Sequence, residues 1–120
     1  MSYDLYILHV DVKATVEEGF ALADIEYPEL DDGDVEQLLE RLPEFGYELE
    51  SEEEDDILEY VKDVEGCPIQ LRVFKTEVAL SVPYWKGSDE AILEACQDAA
   101  ELSDADSLVY YDPQSDEWID

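Results

Sequence analysis

Thirty-five carboxylates stand against six lysines and arginines in 120 residues, a formal net charge of -29 at neutral pH. At most a handful of the acids can find a side-chain partner. The rest must spread over a solvated surface, where their mutual repulsion opposes compaction. A chain charged like this stays unfolded unless it also carries enough apolar surface to bury. Here 46% of the residues are hydrophobic, with eight Tyr, three Phe and two Trp among them, so the chain is expected to fold. One domain is expected, because halves of a 120-residue chain would be too small to enclose a useful core.

Tyr3 to Val12 (YDLYILHVDV) is apolar on both alternating sets and reads as a central strand. Two readings of the next stretch stay open. Glu18-Gly19 suits a hairpin into a second strand, Phe20 to Tyr27, whereas Thr15 followed by Glu18 suits a helix capping box; the hairpin is preferred. Pro28 and the polar Asp31-Asp32-Gly33 break lead to a helix N-capped by Asp34, with Val35, Leu38, Leu39 and Leu42 on its apolar face. Pro43 and Gly46 end it, and Phe45 and Tyr47 anchor the exit. Glu48 to Asp56 (ELESEEEDD) reads as a solvated acidic loop.

A three-stranded antiparallel meander follows, Leu58 to Val64, Ile69 to Phe74 and Val78 to Tyr84, with turns at Glu65-Gly66 and Lys75-Thr76. Ser88 caps a second helix, Asp89 to Leu102, whose stripe of Ile92, Ala95, Cys96, Ala99 and Leu102 predicts close packing on the sheet. Leu108 to Tyr111 forms a last strand, closed by Asp112-Pro113, with Trp118 folding back as an anchor. The expected architecture is α+β: an antiparallel or mixed sheet of four to six strands with two helices on one face, in a split βαββαβ-like order.

Nothing in the chain reads as a catalytic centre, and no cofactor is expected. His9 is the only histidine, which leaves a nucleophile no choice of base and denies zinc a second imidazole. If Gly33 held the sixth position of an EF-hand loop, Pro28, Leu30 and Leu39 would occupy ligand positions, so a calcium loop fails at Asp31-Asp32-Gly33-Asp34. With 35 acids, any carboxylate pair is uninformative, and the five glycines form no phosphate-binding loop. Cys67 and Cys96 lack CxxC spacing and are expected to be reduced. Met1 to Val10 has no basic signal-peptide start, and no stretch reaches the roughly 20 apolar residues of a membrane span, so a cytoplasmic location is expected.

The distribution of acids says more than any motif. Residues 14–61 hold nineteen Asp or Glu and one base, Arg41, while Lys62, Arg72, Lys75 and Lys86 lie in or beside the meander. Direct contact with nucleic acid or an anionic membrane would set like charge against like. The polarity instead points to a non-enzymatic binding protein whose partner is basic, a nuclease toxin or a nucleic-acid-binding protein, met by an immunity protein, inhibitor or nucleic-acid mimic. The expected contact residues are Glu36, Glu40 and Glu44 on the first helix and Glu50, Glu52, Glu53, Glu54, Asp55 and Asp56 in the acidic run. The rival is a salt-adapted cytoplasmic domain whose acids serve solubility, with a site near Tyr84, Trp85 and Tyr111.

The opening MSYDLYI, Thr76 to Trp85 (TEVALSVPYW) and Leu108 to Gln114 (LVYYDPQ) together cover about half the chain. In these stretches the chain resembles a family of small uncharacterised bacterial proteins that begin with a YDL strand and end in a YDPQ segment. The resemblance implies a compact α+β domain and brings no activity or catalytic residues with it. Read by turn chemistry alone, Asp112-Pro113-Gln114 is the turn that ends the last strand.

Overall fold

A computed structural model describes residues 2–21, 24–25, 27–52, 57–64, 66–83, 89–104, 107–114 and 117–119. In chain order the elements are β1 (Ser2–His9), α1 (Val10–Glu17), α2 (Asp32–Arg41), a 3-10 turn (Leu42–Phe45), β2 (Glu48–Glu52), β3 (Leu58–Val64), β4 (Cys67–Val73), β5 (Glu77–Pro83), α3 (Asp89–Leu102), β6 (Leu108–Asp112) and β7 (Glu117–Ile119). The strands form one sheet in the order β2-β3-β4-β5-β1-β6-β7, with every neighbouring pair antiparallel.

The double-sided apolar pattern of β1 has a direct cause. Leu5 and Ile7 are fully buried in the larger core, while Leu8 belongs to a second cluster on the reverse face of the sheet. In the larger core, Leu38, Leu42, Ala91, Ala95, Ala99 and Leu102 of the helical layer meet Ile69, Leu71, Val78, Leu80 and Val82. The alanines let α3 lie close to the strands. Each fully buried Leu, Ile or Val contributes about 1.5–3 kcal/mol, the favourable term that offsets the charge repulsion. The reverse-face cluster joins Leu8, Val12, Val109 and Tyr111 to the partly buried Tyr6, Ile25, Tyr27 and Trp118.

The α+β class agrees with the sequence expectation, but the counts do not. Among the described residues there are seven strands rather than four to six, and three helices rather than two. The extra helix arises because β1 stops at His9. The His9 side chain caps α1 by accepting the Asp11 N–H at 3.0 Å, so Val10 to Val12 are helical instead of extended. Val12 then packs with Leu8, which places α1 on the face opposite α2 and α3. Thr15 lies inside α1 and starts no helix, and the described residues between 20 and 27 form no strand. Leu22, Ala23 and Glu26 lie outside the described residues.

The cap of α2 is Asp31 rather than Asp34; its carboxylate accepts from the N–H groups of Gly33 and Asp34 at 2.9 and 3.4 Å. Asp34 instead accepts from the Ser107 hydroxyl. The first half of the presumed acidic loop is an edge strand, β2. Pairing with β3 uses only backbone groups, so Glu48 and Glu50 stay exposed, and charged side chains on an edge also discourage strand addition by another chain. Gly46, at φ 94°, makes the left-handed turn that feeds the helix into this strand. The other extra strand is β7, where Trp118 packs on Tyr111 with ring centroids 4.4 Å apart. Ser88 lies outside the described residues.

Candidate functional site

Of the expected contact residues, Glu36 and Glu40 lie one turn apart on α2, Glu44 follows on the 3-10 turn, and Glu50 lies on β2. All four are exposed, as is Glu48. Glu52 ends β2, and Glu53, Glu54, Asp55 and Asp56 lie outside the described residues. The one base of this stretch does not neutralise the row. Arg41 turns back to donate to the Glu101 carbonyl at 2.8 Å, and its guanidinium sits 5.3 Å from the centre of the Phe45 ring. Exposed acids are not confined to this stretch, since Asp11, Glu17, Asp89, Glu90, Glu101 and Asp104 are exposed as well.

The best-built polar cluster was invisible to the charge map. Asp98 of α3 is only 7% exposed; it accepts from the Tyr47 hydroxyl and from Lys62 Nζ, each at 3.0 Å. Lys62 also reaches Glu94 at 3.1 Å and lies 5.2 Å from the centre of the Tyr47 ring. Burial pulls the Lys62 ammonium down, but the two carboxylates more than compensate and leave it above its ordinary value. Two acids sharing one base cannot both be fully stabilised: burial raises Asp98 against the pull of Lys62 and Tyr47. The same burial, with Asp98 beside it, raises the Tyr47 phenol far above the usual range. With its ammonium so engaged, Lys62 holds β3 to α3 rather than presenting a reactive amine. Its sequence signal was the position of Asp98 on the buried stripe of Ala91, Ala95, Ala99 and Leu102.

The YDL and YDPQ segments meet in space. Gln114 pairs with the Asp4 backbone as a neighbouring strand would: Asp4 N–H donates to Oε1 at 2.9 Å, and Nε2 donates to the Asp4 carbonyl at 2.7 Å. The buried Asp112 carboxylate accepts from the Tyr3 hydroxyl at 2.5 Å, from Gln114 N–H at 3.0 Å and from Gln114 Nε2 at 2.7 Å. The segment thus does more than end a strand; it clamps β1. Gln114→Ala is expected to cost about 1–2 kcal/mol in chemical denaturation and to speed hydrogen exchange at the Asp4 amide. Unchanged exchange at Asp4 would contradict the clamp.

On the reverse face of the sheet two cavities meet at Tyr6 and Glu77. One, of about 330 Å³, is lined by Asp4, Gln70, Arg72, Phe74 and Ser81 among others. Its guanidinium is already committed, Arg72 Nε standing 2.8 Å from Glu59. The second, of about 340 Å³, is lined by Tyr6, Leu8, Tyr27, Glu77, Tyr111 and Pro113. Tyr111 was expected near a site; Tyr84 and Trp85 lie outside the described residues.

His9 serves as a helix cap, and both cysteines are free thiols. Burial, helped by Asp63, raises the Cys67 thiol and disfavours its nucleophilic form. Among the described residues no group of three or more His, Cys, Asp or Glu is arranged to hold a metal ion, and no helix is long and apolar enough to cross a membrane. Comparison with protein-family models, curated proteins and solved structures gives no match.

Proposed function

We propose that this is a non-enzymatic acidic binding protein of the cytoplasm, of immunity, inhibitor or nucleic-acid-mimic type, that docks a basic protein without a cofactor. The observation that carries the reading is the row of exposed acids Glu36, Glu40 and Glu44 on α2 and the 3-10 turn, with Arg41 turned to the Glu101 carbonyl; Glu48 and Glu50 follow, exposed, on the edge strand β2. The proposed face continues through Glu52, Glu53, Glu54, Asp55 and Asp56. Such a row steers a cationic partner during diffusional approach and contributes more to association rate than to residence time.

The test is capture from native cytoplasm at low salt, followed by association kinetics with the captured partner. The on-rate is expected to fall about 10- to 100-fold as salt rises, with a much smaller change in the off-rate. Neutralising Glu36, Glu40, Glu44 and Glu50 together should slow association about tenfold while circular dichroism stays unchanged. An unaltered on-rate would remove this face from the proposal. A second reading, salt adaptation, draws on the exposed acids of α1 and α3, elements outside the row. On that reading the same variant would bind any partner as before.

A further inference from the structure

We propose that the cavity between Tyr6, Tyr27, Tyr111 and Glu77 binds an organic ammonium group, an assignment independent of the acidic row on α2 and β2. The backbone register brings the lining together. Tyr6 and Tyr111 are direct partners across β1 and β6, and Glu77 of β5 stands opposite Leu8 one row further along, on the same face of the sheet. Tyr27 completes the wall from the segment before α2. Three tyrosines and one glutamate therefore line a common space of about 340 Å³, the Tyr111 ring being packed on Trp118 as well. That volume is near the lower end of small-ligand sites, roughly 300–1,000 Å³, and suits a headgroup rather than a nucleotide.

The chemistry of the lining selects the ligand class. An aromatic face carries negative quadrupolar potential and attracts a cation held within about 6 Å of the ring centre. Leu8 and Pro113 add apolar contact that an alkylated cation can use and a bare metal ion cannot. Glu77 is half-buried and has no ion pair among the described residues. Its carboxyl is pushed above the ordinary value by burial. The Tyr6 phenol is raised by burial, then by Asp4 and Glu77, and the Tyr27 phenol by burial and Glu77. A negative charge withdrawn from water beside electron-rich rings is a state that an entering ammonium relieves. Anionic ligands would meet the same carboxylate, and a net charge of -29 behind it.

The experiment is calorimetric titration of the full chain at constant ionic strength, with tyrosine ring resonances followed in parallel by NMR. The probes are choline, its neutral carbon isostere 3,3-dimethylbutan-1-ol, and Nα-acetyl-lysine N-methylamide. Saturable one-to-one binding of choline or the lysine amide is expected, with the neutral isostere weaker by at least about tenfold. The tighter of the two cations identifies the source, a free quaternary amine or a side chain of a protein. Glu77→Gln should weaken binding at least about tenfold, and Tyr27→Leu about fivefold, with circular dichroism unchanged. Glu36→Gln/Glu40→Gln should leave the affinity as it was, which separates this site from the acidic row. Equal binding of the neutral isostere, full affinity in Glu77→Gln, or no saturable binding of either cation at millimolar concentration would each overturn the assignment.

Discussion

Melting the protein in about 0.01 M and about 1 M sodium chloride is expected to give midpoints roughly 20 °C apart, the higher one in concentrated salt. The molecule measures 41 × 28 × 25 Å. At the lower salt the screening length is about 30 Å, so nearly every carboxylate feels every other; at the higher it is about 3 Å, and only near neighbours interact. For a chain of this length each kcal/mol of stability moves the midpoint by about 4 °C, so the shift asks for on the order of 5 kcal/mol of relieved repulsion. That is modest for a net charge of -29. A chain already folded in the dilute buffer favours the partner reading, and one that folds only in molar salt favours salt adaptation. A midpoint indifferent to salt would show that the acids are not the dominant destabilising term.

Acid should act in the same direction over a limited range. Glu77 and Asp98 are both raised by burial, so the folded protein takes up these protons at higher pH than the unfolded chain does. Stability therefore rises as pH falls from neutrality through the raised folded values. The gain from these two groups is complete only below their ordinary values of 4.5 and 3.8.

Lys62→Met should lower stability by about 3–5 kcal/mol, read as an earlier urea midpoint with an unchanged slope. The methionine fills most of the space but removes the cation that pairs with Glu94 and Asp98. Asp98, its side chain 9% exposed, keeps the Tyr47 hydroxyl as its partner among the described residues, with Glu94 beside it. Adding Asp98→Asn to Lys62→Met should restore part of the loss, since the buried charge is gone while an amide still meets Tyr47. A loss below about 1 kcal/mol for the single variant would mean that water reaches the pair and screens it as it does a surface bridge.

The long periodic elements were legible because burial alone dictates them. Asp89 to Leu102 is helical over the span its alanine stripe predicts, and the meander strands show the expected alternation, Val78, Leu80 and Val82 inward. Errors gathered where one local hydrogen bond outweighs pattern. The β-rich run through Val12 gives no sign that the His9 ring will cap a helix there, and a row of glutamates gives no sign that its backbone will pair with β3. Site residues divided similarly. Exposed acids on α2 could be read by spacing, whereas the Tyr6, Tyr27, Glu77 and Tyr111 cavity depends on register between positions 69 residues apart at Leu8 and Glu77 and 105 apart at Tyr6 and Tyr111, which local sequence does not encode.

The placement of β1 bears on how such a chain is made. Its neighbours in the sheet are β5 and β6, and Gln114 closes on Asp4 across 110 positions. A ribosome releases β1 well before these partners exist, so an apolar strand waits with both edges unpaired while the intervening chain is made. Loops of such length close slowly. Assembly around this strand thus waits for β5 and β6, and in that interval the dense negative charge keeps one nascent chain apart from the next.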